Sequence, residues 1–108
     1  MGNALYALVL VTCPSEGDAE RISRALLDGK LAACVSAVPG IKSSFLWRGA
    51  VEGASEVLLI IKTRAGLVGE LIEEVRKIHP YEVPEILAVP IVDGFKGYLD
   101  WIDRETAR

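Results

Sequence analysis

The chain has 108 residues, 51% of them hydrophobic, with a formal charge of −3, a single histidine and two cysteines. That length suits one domain over residues 1–108, whose core forms without metal or disulfide staples, and the acidic balance supplies no field for nucleic acid or an anionic membrane. Cysteines without Cys-x-x-Cys spacing and a lone histidine exclude the usual single-chain zinc patterns.

Leu5 to Thr12, LYALVLVT, is short, apolar and followed by Pro14, which reads as a strand. Ser15 with Asp18 three residues on gives the start of a helix whose inner face is Ala19, Ile22 and Leu26, with Gly29 ending it. Leu31 to Val38 reads as a second strand, Pro39-Gly40 as a turn, and Lys42 to Arg48 as the continuation, with Phe45 and Trp47 on one side. A looser stretch is expected from Arg48-Gly49 to Ser55, then a strand over Glu56 to Lys62. Thr63 is placed as the cap of a second helix carrying Leu67, Leu71, Val75 and Ile78 on one face, and Pro80 ends that helix near His79. Glu85 to Val92 forms the fourth strand, where Pro90 implies an edge or bulge, and Lys96 to about Ala107 forms a last helix.

The order β-α-β-β-α-β with an added helix predicts a ferredoxin-like α+β sandwich, two helices covering one face of a four-stranded sheet. Both alternating sets are apolar, Leu5, Ala7 and Val9 against Tyr6, Leu8 and Leu10. A one-sided sheet alternates apolar with polar, so the second face needs a cover, and a homo-oligomer is expected.

The segment His-Pro-Tyr-Glu-Val-Pro-Glu, residues 79–85, is the densest collection of chemical groups. His79 with Glu82 or Glu85 is a chemically credible set for a divalent ion such as copper. In an extended chain roughly 20 Å would separate His79 from Glu85, so such a site requires the prolines to bend the segment or a second subunit to contribute. The alternative is structural: His79 at the helix end, Pro80 as the stop, Pro84 stiffening the entry to the strand. Glu56 and Lys62 share a parity on one apolar strand, which marks solvent-reaching ends or, for one or both, an intersubunit cleft shared with Tyr81 or Glu85. Trp47 and Trp101 are core or interface anchors in the simplest reading. Cys34, within LAACV, is expected to be a buried filler, and Cys13, at a strand end, open to oxidation.

Thr12-x-Pro14, KLAACV at 30–35, Trp47-x-Gly49 with Glu56, Lys62-Thr63, HPYEVPEI at 79–86 and YLDWI at 98–102 together resemble the CutA family of divalent-cation tolerance proteins. The resemblance spans most of the chain, and HPYEVPEI is its most specific part. It implies a homotrimer similar in architecture to the PII signalling proteins, and a part in the response to copper, zinc or other divalent cations without an enzymatic reaction. On this reading a divalent cation is a ligand and is not needed for folding. The metal candidates are His79, Glu82 and Glu85, the cleft candidates Lys62, Tyr81, Glu56 and Trp47, and the thiols Cys13 and Cys34. Partners are further copies of the chain and cations, with no nucleic acid or membrane, and the expected location is the reducing cytoplasm. A PII-like small-molecule sensor with intersubunit clefts is the alternative.

Overall fold

In the computed structural model, which describes residues 3–108, the elements run β1 (Tyr6–Cys13), α1 (Glu16–Asp28), β2 (Cys34–Trp47), β3 (Ala50–Arg64), α2 (Val68–Ile78), β4 (Ile86–Ile91) and α3 (Lys96–Glu105), with a single 3-10 turn at Ala65–Leu67 before α2. The strands form one antiparallel sheet in the order β2-β3-β1-β4. Pro90 lies in an edge strand, the position in a sheet where a residue without an N–H is tolerated. No helix among the described residues is long and apolar enough to cross a membrane.

Ser15 starts α1 as its sequence implies. Its hydroxyl accepts the Asp18 N–H at 3.1 Å and donates to the Asp18 carboxylate at 2.9 Å. Arg21 also pairs with Asp18 at 3.0 Å, and that guanidinium, followed by the Ser15 hydroxyl, holds the Asp18 carboxyl below its usual range. Ala19, Ile22 and Leu26 are the buried residues of α1, and Leu71 and Val75 those of α2. They pack on Val9, Val11, Val57, Leu59 and Ile61, the inward set of β1 and β3. Truncating a fully buried member such as Leu59 to Ala is expected to cost about 2–5 kcal/mol.

Four local expectations are corrected. Pro39-Gly40 is a bulge inside a continuous 14-residue strand, between Val38 and Ile41, with Gly40 at φ +71°. The stretch to Ser55 is regular strand, because Arg48 and Gly49, at φ 51° and 82°, make a two-residue hairpin that keeps β2 and β3 paired from Trp47↔Ala50 onward. Thr63 does not cap α2: it is buried at the end of β3 and donates to the Leu31 carbonyl at 2.6 Å. The second strand begins at Cys34; Gly29 does end α1, and the left-handed residue that follows it is Lys30 at φ 55°.

The face of the sheet opposite α1 and α2 is only partly open. Tyr6 and Arg64, on that face by parity, hold α3: the Tyr6 hydroxyl donates to Asp103 at 2.7 Å, and Arg64 donates to the Thr106 hydroxyl and carbonyl at 2.8 and 2.6 Å. Beyond α3 the face carries half-buried Leu10, Leu58 and Ile60 and exposed Val38, Leu87 and Val89.

Candidate functional site

The bulge at Pro39-Gly40 decides what the far half of the β2–β3 hairpin presents. It places one extra residue in β2 between the pairs Val38↔Leu58 and Ile41↔Glu56. Side chains alternate along a strand, so that residue moves Ile41, Ser43, Phe45 and Trp47 onto the face already occupied by Glu56, Ala54 and Glu52. Phe45 then stands directly opposite Glu52. Without the bulge both aromatic rings would lie on the other face.

The other wall comes from the segment after α2. Arg21 of α1 donates to the Ile78 carbonyl at 2.8 Å, fixing the helix end. His79 is buried, its Nε2 lies 2.8 Å from the Thr12 carbonyl, and its Nδ1 accepts the Tyr81 N–H at 3.0 Å. Acceptance at Nδ1 puts the ring proton on Nε2, which donates to Thr12. The chain bends through residues 80–83, and the Tyr81 hydroxyl reaches Glu56, donating to Oε2 at 2.9 Å. Burial first, then the Glu56 hydrogen bond and charge, push the Tyr81 hydroxyl up to about 12, so it remains a donor at neutral pH.

Between these walls lies a cleft of about 870 Å³ lined by Thr12, Ser43, Ser44, Phe45, Trp47, Glu52, Gly53, Glu56, Pro80, Tyr81, Glu82, Val83 and Glu85. Four of those residues carry carboxylates, three carry aromatic rings, and none carries a cation. Glu56 forms part of its floor: it is only 7% exposed, yet none of the ion pairs among the described residues includes it. A carboxylate withdrawn from water without a countercharge is an unusual and costly feature, eased here by one phenolic hydrogen bond.

Of the residues singled out from sequence, Glu56, Tyr81, Trp47, Glu82 and Glu85 meet in this cleft. The proline-bounded segment bends, so Glu82 and Glu85 share one cleft, where an extended chain would send them to opposite faces. His79 stands apart from the cleft lining with both ring nitrogens engaged, and among the described residues no three His, Cys, Asp or Glu side chains converge to hold a metal ion. Glu56 is not a solvent-reaching strand end. Lys62 lies elsewhere on the same sheet face, hydrogen bonded to Ser36 and 3.7 Å from the Cys34 sulfur.

The two thiols, both free, exchange the environments expected of them. Cys13 is fully buried in the core, and that burial, ahead of the nearby Asp18 and Glu56 charges, pushes its thiol up to about 11. Cys34 is half-buried beside Lys62. Glu52 and Phe45 line the cleft without being site candidates from sequence: their place follows from the hairpin register, which the Arg48-Gly49 turn signals but the Pro39-Gly40 bulge obscures.

The family model described as CutA1 divalent ion tolerance protein matches residues 7–105. The mouse protein CutA is 48% identical over 96 residues, which are 89% of this chain and 54% of that protein, so the chain spans about half the length of that relative. The divalent-cation tolerance protein CutA of Thermus thermophilus is 46% identical over 99 residues, covering 92% of this chain and 96% of its own. Among solved structures, the periplasmic divalent cation tolerance protein CutA from Archaeoglobus fulgidus superposes with a TM-score of 0.92 at 45% identity, over 94% of this chain and 99% of that one.

Proposed function

The chain belongs to the CutA1 family of divalent ion tolerance proteins, and from that premise we propose that it is a non-enzymatic, homotrimeric cation-responsive protein whose site is the acidic aromatic cleft. The observation that carries this reading is Glu56, a buried carboxylate on the cleft floor with no ion-pair partner among the described residues. Binding a cation there supplies a countercharge that the described residues do not. Carboxylate oxygens suit a divalent ion such as copper or zinc in kind, but among the described residues of one chain three donors do not converge. Glu56, Glu82 and Glu85 would therefore hold such an ion only with donors added by water or a second copy. His79 serves by placing Tyr81 against Glu56.

Assembly is favoured by surface that a monomer leaves uncovered, and the number three is carried by the family resemblance alone. Val38, Leu87 and Val89 are 40%, 56% and 42% exposed on one sheet face. β2 is a 14-residue edge strand, pairing only with β3 among the described residues. A single ferredoxin-like domain over residues 1–108 and a cytoplasmic location belong to the same proposal. Since the Archaeoglobus relative is called periplasmic, fractionation of cells making this protein decides the location.

Titration calorimetry of the reduced protein with copper and zinc tests the site. Binding is expected to weaken at least tenfold in Glu56→Gln and in Glu85→Gln. Equal binding by both variants and the parent would remove the cleft as the cation site. A PII-like small-molecule sensor is the second reading, favoured by the exposed rings of Phe45 and Trp47 in the same cleft.

A further inference from the structure

We propose that the ligand this cleft is shaped for is an organic ammonium compound, a small amine carrying an apolar body, in preference to a bare metal ion. The proposal rests on the reading of the cleft as a cation site and names the class of cation. Three features separate the classes.

The first is donor geometry. A divalent metal ion needs several oxygen, nitrogen or sulfur donors within about 2–2.6 Å, and the carboxylates lining this cleft do not gather in that way among the described residues. An ammonium group makes longer, charge-assisted hydrogen bonds of about 2.7–2.9 Å and is satisfied by one or two carboxylate oxygens, with Glu56 at the floor and Glu52, Glu82 and Glu85 supplying the surrounding negative potential.

The second is the aromatic lining. Phe45 and Trp47 are 41% and 51% exposed, although their burial would stabilise the chain if anything covered them. An aromatic face attracts a cation whose charge is spread over carbon-bearing groups and packs its apolar body at the same time, whereas a hydrated metal ion gains little from it. Trp47 already engages a cation of this organic kind, since the Arg48 guanidinium carbon lies 5.7 Å from its ring centroid.

The third is size. About 870 Å³ is in the range of small-molecule pockets, about 300–1,000 Å³, and far exceeds a single ion. Among the described residues no Lys, Arg or His lines this cleft, which argues against an anionic or phosphorylated ligand there.

Calorimetric titration of the assembled protein compares three probes: 2-phenylethylammonium, its uncharged counterpart 2-phenylethanol, and zinc. The ammonium is expected to bind with a dissociation constant below about 1 mM, and the alcohol at least tenfold more weakly. Glu56→Gln, which keeps an acceptor for Tyr81, is expected to weaken ammonium binding at least tenfold. Glu85→Gln, at an exposed position, reports the same loss if Glu56→Gln disturbs folding as judged by circular dichroism. Trp47→Ala is expected to weaken the ammonium severalfold and leave zinc unchanged. The alcohol binding as tightly as the ammonium, or Trp47→Ala leaving the ammonium unaffected, would overturn the proposal. Zinc binding without ammonium binding overturns it and leaves the cation site standing. Binding by neither overturns both.

Discussion

Tyr81 and Glu56 illustrate how one hydrogen bond supports both stability and site chemistry. Among the described residues the phenol is the only side-chain donor to a carboxylate that is 7% exposed. Tyr81→Phe is therefore expected to destabilise the protein by about 1–3 kcal/mol, measured by urea unfolding, because it leaves a buried charge without its donor. The cysteines give a second test. In the folded protein at neutral pH a disulfide reagent should label Cys34 alone, and Cys13 only on unfolding, since Cys13 is fully buried. The Cys13 thiol is raised from 9.0 to about 11, so the unfolded chain releases that proton first. Its contribution is complete below about pH 9 and is lost as pH rises toward 11, so Cys13→Ala should flatten the alkaline fall in stability across that window.

Among the elements, α3 buries Ile102 alone and is otherwise tied to the sheet by hydrogen bonds toward its C-terminal end. Arg64 makes two hydrogen bonds to Thr106, and Tyr6 makes one to Asp103. Arg64→Met should raise amide exchange in Lys96–Glu105 severalfold while α1 and α2 retain their protection, as hydrogen-exchange mass spectrometry would show. Uniform loss of protection would mean that α3 is part of the main cooperative unit. Elements set by local chemistry were legible from the sequence: Ser15 and Asp18 mark the start of α1, and Pro80 ends α2 at Ile78. Thr63 misled because a threonine before a helical pattern looks like a cap, whereas here its hydroxyl serves the distant Leu31 carbonyl. Pro39-Gly40 misled for a related reason, since the same dipeptide fits a turn or a bulge and only pairing with β3 distinguishes them.

For the whole molecule, the apolar sheet face was legible as a conflict between patterning and coverage, and α3 resolves only part of it. Leu58→Asp, on the uncovered part of that face, is expected to shift the assembly toward monomers by light scattering; an unchanged mass would place the interface elsewhere. The cleft was legible only in pieces. Tyr81, Glu82 and Glu85 come from one motif, but Glu56 meets Tyr81 across 25 positions of sequence, and Phe45 and Trp47 join them through a one-residue slip in β2. Those meetings depend on register and on the bend after α2, which no single segment encodes. The most direct test is a competition titration, zinc into the assembled protein with and without saturating 2-phenylethylammonium. Mutual exclusion in the parent and its loss in Glu56→Gln is the expected result, placing both cations on one carboxylate. Independent binding of the two, or exclusion unaffected by Glu56→Gln, would contradict a single cation cleft built around Glu56.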